Sequence, residues 1–479
     1  MGRGEYDFSE KNMANLHGFE PKYDVGGDDY MAAAYLLRWG GAVAESNDVY
    51  KATIDSWTDS VPMNPAIHVQ HVVWVPGVRE SDKEPLKTAI QEYGAISVPM
   101  YWSSDYAKDS GAYYCTHPLA VNHAVALIGW DDSYSKTNFT KKPNVDGAWI
   151  IKNSHGAISG SNGFYYVSYA DTCFAKYEGA VFIPADESEN YTAVYGHDKL
   201  GYIEDLEDNY DCGAAVFTSA WNEEIAAIGL YSYADSLQYE FSIYTNFNRT
   251  ASPPIDKSFL ATCQTNTVSH MGYTTIKLNN PIPIADNSHF AVSYRFIEEP
   301  YQHAISSTVY ADGNIPYSYC NIKPGNTYIG SSNTGEWKDM SPNCVCLKAY
   351  TRSTVSAGDG PEEYNSGDKM LTALAATNET LYAETGETFG AFANLVGANG
   401  RTLWASWLAG FNPANKDDNK FVVDISVTNN VPYLSWTPNL GADRNYRIWG
   451  TETLAEENWQ EVDDLKKTDA KFFKVTVGQ

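Results

Sequence analysis

Apolar positions in the first 185 residues change period several times. "DDYMAAAYLLRWGGA" sets Met31, Ala34, Tyr35 and Leu37 at helical spacing and is stopped by Gly40-Gly41, which predicts a helix. "DKEPLKTAIQEYGA" predicts a second, with Leu86, Ile90 and Tyr93 on one face. Strands follow in "ISVPMYW", "HAVALIGW", "GAWIIKN" and "GFYYVSY", so residues 1–185 read as an α+β domain rather than alternating βα units. From 190 to 352 short alternating strands dominate: "EIAAIGLYSY", "YEFSIYTNF", "YTTIKLNNPI", "HFAVSYRF" and "CVCLKAYT". With turn residues between them and no helix-length stretch, they predict an all-β sandwich. Residues 353–369, small, acidic and Gly-containing, read as a linker. Residues 370–479 carry a short helix near "RTLWASWLAG" and strands "FVVDISV", "YLSWTP", "YRIWGT" and "KFFKVTV", a small mostly-β module. The sandwich is expected to pack directly on the first domain, because no Gly/Ser-rich stretch separates them. The last module is expected to be loosely docked.

Composition narrows the partners. The 479 residues are 43% hydrophobic and 19% charged, enough to bury real cores. A net charge of −27, from 60 acidic and 33 basic residues, argues against nucleic acid and anionic membranes, both of which demand basic surface. No run reaches the length of a membrane span, and the start lacks an apolar signal core. Tyr6 stands where a myristoylation motif needs Ser or Thr. The 7 cysteines, at 115, 173, 212, 263, 320, 344 and 346, are too sparse for a disulfide scaffold and form no C-x-x-C or zinc spacing. An odd count leaves one thiol without a partner in the chain. Cys344 and Cys346, two apart in a strand pattern, are expected on one face.

Two polar residues stand out in the apolar strands. His123 is followed by Ala124, Val125, Ala126 and Leu127, and Asn153 is preceded by Ile150, Ile151 and Lys152. An unpaired buried polar side chain costs free energy, so the two satisfy each other or serve something outside the fold. A His ring N–H donated to an Asn oxygen fixes the tautomer and aims the other nitrogen outward, an arrangement suited to activating a Cys nucleophile. Either residue alone reads first as a satisfied core residue; the pair reads as a site.

The blocks around them resemble papain-like cysteine peptidases. "NHAVALIGWDD" is similar to the family's His block, and "GAWIIKNSHG" with "GFYYVSY" to its Asn block. "DFSEKNM", "VGGDDYMAAAYLLRWGGAVAESNDVY", "IQEYGAISVPM" and "SGAYYC" follow in family order between residues 6 and 170. The resemblance implies peptide-bond hydrolysis, with His123 as general base and acid and Asn153 as its orienting partner. It implies that Gly26 and Gly27 present backbone to an extended substrate, with Ala124 bordering the pocket for its side chain. A peptide or protein substrate is implied, and no cofactor or metal.

The sequence departs from the family at two points. The nucleophilic Cys is expected about 130–150 residues before the His and Asn, and residues 1–12 contain none. Cys115 stands just before the His block, where the family tends to have an aromatic residue, and reads as structural. The expectation is a peptidase domain lacking its N-terminal nucleophile segment and inactive alone. His155 stands where the family has the Trp that shields the His–Asn bond, so the pair is expected to be wetter.

The middle region is similar to the lectin-like domain that follows the protease in some bacterial surface cysteine peptidases. Sugar binding is implied only weakly; Trp221, Tyr231 and Trp337 are the candidates for a stacking surface, with core packing the commoner use of such residues. Residues 370–479 loosely resemble modules at the ends of secreted bacterial proteins. Asp417, Asp418 and Asn419 have calcium-ligand chemistry, although an acidic turn explains them better. The sequons at Asn138, Asn190, Asn248 and Asn378 carry little meaning for a bacterial source. Two readings follow: a cysteine peptidase fragment of extracellular or cell-surface type, or a non-catalytic binding protein holding peptide or glycan.

Overall fold

The computed structural model describes most of residues 6–353 and the backbone of five strands between 422 and 478. Outside the description lie residues 1–5, 21–25, 51–59, 61–62, 64, 79–81, 155, 157–158, 186–190, 220–221, 248–254, 286–287, 312–314, 354–421 and the connections among those five strands. The expected linker from 354 on, the helix near 401–410 and the calcium candidates Asp417, Asp418 and Asn419 fall among them.

The first domain opens with α1 (Glu10–Leu16), whose N-cap Ser9 accepts from the Asn12 N–H. Next, α2 (Asp29–Leu37) starts where Asp28 accepts from the Met31 N–H at 2.8 Å. It buries Ala33 to Leu37, which includes the expected Ala34, Tyr35 and Leu37; Met31 is only partly buried, and Ala33 and Leu36 are buried as well. The third helix, α3 (Glu84–Tyr93), begins with a Pro in its first turn and ends at Gly94. Seven strands complete this part: β1 (Val69–Val75), β2 (Ile96–Met100), β3 (Ala112–Tyr113), β4 (His123–Asp131), β5 (Ala148–Lys152), β6 (Phe164–Ser168) and β7 (Gly179–Pro184). Leu86, Ile90, Val98, Leu127, Trp149 and Phe174 belong to their shared core.

The described residues between 193 and 353 hold strands and a single short 3-10 turn, Lys257–Phe259. In chain order come β8 (Ala193–Gly196), β9 (Glu204–Glu207), β10 (Cys212–Thr218), β11 (Glu223–Ser232), β12 (Leu237–Thr245), β13 (Leu260–Val268), β14 (Gly272–Ile284) and β15 (His289–Phe296). They are followed by β16 (Gln302–Ser306), β17 (Val309–Ala311), β18 (Ile315–Ser318), β19 (Thr327–Gly330), β20 (Trp337–Asp339), β21 (Cys344–Val345) and β22 (Leu347–Ser353). A six-stranded sheet, β13-β12-β15-β10-β19-β20, packs over β14, β11 and β22 to form the sandwich. Its core includes Phe217, Ile228, Phe241, Ile276, Phe290 and Leu347.

The two parts are more intimately joined than separate domains packed side by side. One 11-stranded sheet runs β3-β6-β5-β4-β2-β7-β1-β14-β11-β22-β8. The seam is the antiparallel pairing of β1 with β14, Val72 opposite Tyr273 and Val73 opposite Gly272. α2 then covers the outer face at the seam: Tyr35 and Leu37 share a cluster with Val72, Trp74, Tyr231 and Tyr273. A buried ion pair, Lys348 with Asp198, lies in the β half near it.

Cys344 and Cys346 share a face, as expected: Val345, Leu347 and Ala349 turn into the sandwich core, and the two cysteines turn to the side that α2 covers. On that side Cys346 packs at the seam, and Cys344 joins Phe19 and Ile322 in the adjoining cluster. The five later strands pair as a hairpin, Val422–Thr428 with Val431–Thr437, and a three-stranded sheet of Gln460–Glu461, Asn445–Thr451 and Phe472–Gly478. Four of them lie where the sequence pattern predicts strands; Gln460–Glu461 was not predicted.

Candidate active site

His123 opens β4 and is set by its neighbours. β2 pairs antiparallel with β4, Met100 opposite His123 and Pro99 opposite Ala124. Asn122 clamps the strand start: its amide oxygen accepts from the Trp102 N–H at 2.7 Å and its amide nitrogen donates to the Trp102 carbonyl at 3.1 Å. On the other side β4 pairs with β5, Ala126 opposite Lys152, and Asn153 follows directly.

His123 Nε2 lies 2.9 Å from Asn153 Oδ1. The same oxygen accepts from the Ser154 N–H at 2.8 Å. That second bond identifies the oxygen end of the amide, so Nε2 carries the proton and donates, which leaves Nδ1 as the ring's basic nitrogen in the neutral form. Asn153 is 4% exposed and anchored by its own N–H to the Gly163 carbonyl at 3.0 Å. His123 is half-buried and Ala124 exposed beside it.

Trp102 belongs to this site and was not among the residues selected from sequence. Its ring stacks on Tyr113 at 4.9 Å, meets Tyr165 edge-on at 4.8 Å and stands 6.0 Å from the His123 ring. An aromatic wall thus flanks the pair. His155 lies outside the described residues. The only signal for Trp102 was its place at the end of the apolar run "ISVPMYW".

Gly26 and Gly27 stand exposed ahead of α2. Gly26 has φ +86, and nothing lies within 4 Å of where a Cβ would project, so its glycine answers a backbone need rather than crowding. The helix they precede is tied to the His-bearing sheet: the Ser97 hydroxyl of β2 donates to Asp29 Oδ1 at 2.7 Å, and Tyr30 hydrogen-bonds Glu178. Burial pushes the Asp29 carboxyl up; the Ser97 bond opposes this and the Asp28 charge adds to it. The structure thus brings His123, Asn153 and Ala124 together and sets the two glycines at the head of the helix facing that sheet.

Cys115 is built into the domain's base. Its thiol donates to the His117 carbonyl at 3.3 Å and lies 3.8 Å from the Cys173 sulfur. Burial pushes the thiol up, the reverse of what an activated thiolate needs. Of the stacking candidates, Tyr231 is 7% exposed and packs at the seam, so it cannot receive a sugar. Trp337 is half-buried against Gly330, and Trp221 lies outside the described residues. Among the described residues no group of three or more His, Cys, Asp or Glu is arranged to hold a metal ion, and no helix is long and apolar enough to cross a membrane.

Fold and site together define a papain-like domain followed by a lectin-like one, and comparison with known proteins agrees. Residues 4–183 match the papain family of cysteine proteases and residues 194–351 the lectin-like domain family, so the chain carries a papain-family domain and a lectin-like domain in that order. It is similar to the clostridial cysteine protease Cwp84 after propeptide cleavage: 26% identity, a TM-score of 0.60, covering 74% of this chain and 90% of that one. A second structure holds the cysteine protease and lectin-like domains of Cwp84, a surface layer associated protein of Clostridium difficile. It matches at 25% identity and a TM-score of 0.61, over 74% of this chain and 80% of that one. The probable cysteine protease RD19C of Arabidopsis thaliana is 32% identical over 94 residues, 19% of this chain. The match spans only 24% of that relative's length.

Proposed function

We propose that this chain carries the His–Asn half of a cysteine-type peptidase that hydrolyses peptide bonds in an extended peptide or protein. The observation that carries the reading is the 2.9 Å His123–Asn153 bond with its direction fixed by Ser154. In this role His123 Nδ1 takes the proton of a Cys thiol, the thiolate attacks the scissile carbonyl, and the imidazolium returns the proton to the leaving amine. Asn153 holds the ring edge-on through both transfers. Gly26 and Gly27 offer backbone to the substrate, and Ala124 borders its side chain. The Cys-bearing segment is a separate requirement, since Cys115 is occupied at the base of the domain. A cell-surface or extracellular setting accords with the acidic surface and with the surface-layer association of Cwp84.

A second reading, a binding protein that holds peptide without cleaving it, is favoured by the burial of Cys115 away from solvent. Glycan binding through the lectin-like domain is a weaker proposal, resting on Trp337 alone among the described candidates. The test is to fuse a nucleophile-bearing segment from a papain-family relative ahead of residue 1. Thiol-dependent peptide hydrolysis that is lost in His123→Ala supports the peptidase. A folded fusion that binds peptide without turnover supports the binder.

A further inference from the structure

Three of the cysteines gather in the lectin-like half. Cys320 follows β18, Cys344 opens β21, and Cys346 stands between β21 and β22. Cys320 and Cys344 belong to one buried cluster with Phe19, Ala34, Leu200 and Ile322. β16 shows how they meet. Ser306 lies opposite Cys344, and the Ser306 carbonyl accepts from the Cys320 thiol at 3.3 Å. The Cys346 N–H donates to the Ala304 carbonyl at 2.9 Å, so by the alternation of an antiparallel ladder Ser306 and Cys344 also exchange backbone hydrogen bonds. The Cys320 sulfur thus sits on the carbonyl that Cys344 uses, and the two thiols hydrogen-bond each other.

Both ends are held in place. Thr308 Oγ1 accepts from the Cys320 N–H at 3.1 Å and donates to the Cys320 carbonyl at 3.3 Å. Cys344 is fixed in its ladder, and the Cys346 thiol is turned elsewhere, to the Gly201 carbonyl at 3.3 Å. A thiol pair already in contact has only to close to the S–S bond length of about 2.05 Å. Cys320 is 8% exposed and preceded by Tyr319 at 65%, so a reagent reaches the pair from that end; Cys344 is fully enclosed.

We propose that Cys320 and Cys344 form a disulfide that fastens the end of the β17–β18 hairpin to β21. The oxidant is a small-molecule disulfide. Cys320 loses its proton and attacks one sulfur of the reagent, expelling a thiolate and leaving a mixed disulfide. Cys344 then loses its proton and attacks the Cys320 sulfur, expelling the second thiolate. The two protons convert the expelled thiolates to thiols, and the protein gives up two electrons to the reagent. Burial pushes the Cys344 thiol up, so the second step is slow in the folded chain and the link closes fastest while the domain folds. Its effect reaches the other half of the molecule. The Glu20 N–H donates to Ser318 Oγ at 3.0 Å, two residues ahead of Cys320, and Phe19 packs in the cluster around the sulfurs. The link therefore fixes the strand end on which the segment after α1 rests. None of this depends on the peptidase reading.

The test is refolding of the 479-residue chain from urea in a buffer of glutathione and glutathione disulfide, followed by alkylation, digestion and mass spectrometry. A peptide joining Cys320 to Cys344, two hydrogens lighter than its parts, is the expected cross-link of the lectin-like half. Cys115 and Cys173, whose sulfurs lie 3.8 Å apart, are mapped separately. Cys346→Ser should keep the link and Cys344→Ser should lose it. Closure should raise the folding equilibrium constant on the order of 10²-fold. That gain is read as a higher urea midpoint for the oxidised parent than for the reduced one, and Cys320→Ala/Cys344→Ala should lose it. A chain that refolds with both thiols alkylated, that stops at a mixed disulfide on Cys320, or that links Cys320 to Cys346 overturns the proposal. Equal urea midpoints for the oxidised and reduced parent overturn it as well. Should a variant fail to fold, the parent's cross-link map and its two midpoints decide.

Discussion

Replacing Asp171 with asparagine probes how the segment ahead of His123 is held. Its Oδ2 accepts from the Cys115 N–H at 2.7 Å, and its Oδ1 from the Cys173 and Phe174 N–H groups, both at 2.9 Å. One carboxylate thereby ties the chain between β3 and β4 to the turn after β6. The group is 4% exposed; burial pushes its carboxyl up to about 6, against the pull of the three N–H donors. The folded state holds this proton more tightly than the unfolded chain, whose Asp titrates near the ordinary value of about 3.9. Between those values the native state binds more protons, so stability from this group is fully present below about pH 4 and falls as pH rises through about 6. A gap of about two pH units corresponds to about 3 kcal/mol.

Asp171→Asn removes that titration but turns an amide nitrogen toward one of the N–H donors, a cost of about 1–3 kcal/mol. At pH 4 the variant should be the less stable protein by that amount. By pH 7.5 the parent has lost its acid-side advantage, and the two should be nearly equal or reversed. Urea unfolding of both proteins at matched pH values gives the difference directly, and amide exchange at Cys115, Cys173 and Phe174 localises it. A parent-minus-variant difference that is flat with pH, or that grows with pH, would refute the reasoning. It would mean that the three hydrogen bonds outweigh burial and the carboxyl titrates low.

Three further outcomes are expected. Lys348→Met leaves Asp198 charged and uncompensated in the interior and should cost about 3–5 kcal/mol, with Lys348→Met/Asp198→Leu recovering most of it; an unchanged melting temperature in the single variant contradicts this. Without an added nucleophile, the 479-residue polypeptide should show no thiol-dependent turnover and no labelling by a thiol-directed peptidase inhibitor; labelling at Cys115 accompanied by turnover would reassign the nucleophile. In the nucleophile-bearing fusion, Asn153→Ala should lower kcat roughly 10²-fold or more by freeing the His123 ring; steady-state kinetics showing a change in KM alone would give Asn153 a substrate-binding role instead.

The legible parts of this protein were those governed by local period and by chemistry that needs partners. Helices α2 and α3 and strands β2, β4, β5 and β6 follow from spacing, because their apolar faces are set by neighbours three, four or two positions away. The meeting of His123 and Asn153 was legible because two polar groups in apolar strands must find partners. β11 shows where such reading stops. Alternation in "EIAAIGLYSY" suggests one wet face, yet nine of the ten residues of β11 are buried, all but Glu224. One face meets the sandwich core and the other lies under α2, which is distant in sequence. Tyr231 was therefore legible as an aromatic strand residue but not as a seam residue. Cys344 and Cys346 were legible for the same reason as the strands: alternation carries across the interruption between β21 and β22, with Val345 and Leu347 turned into the sandwich core. Trp102 carries its significance only through Tyr113, Tyr165 and His123, which the fold gathers.

The shared sheet makes the His-bearing strand dependent on the lectin-like domain, and Gly272 is where that dependence can be tested. β4 is linked through β2, β7 and β1 to β14. Gly272 sits opposite Val73 at that last junction with φ +121, and a Cβ there would fall 2.1 Å from the Val72 carbonyl oxygen. No side chain can be added without moving one strand off the other, and the backbone conformation is itself strained for any L-residue. Gly272→Ala should therefore cost about 2–4 kcal/mol. The loss should appear as faster amide exchange at Val72–Trp74, because the Trp74 N–H donates across the seam to the Met271 carbonyl at 3.0 Å. If the halves are energetically one body, His123 should also lose order, read as a broadened imidazole resonance. A variant that melts early yet keeps the His123 resonance sharp would show that the continuous sheet joins two independently stable domains.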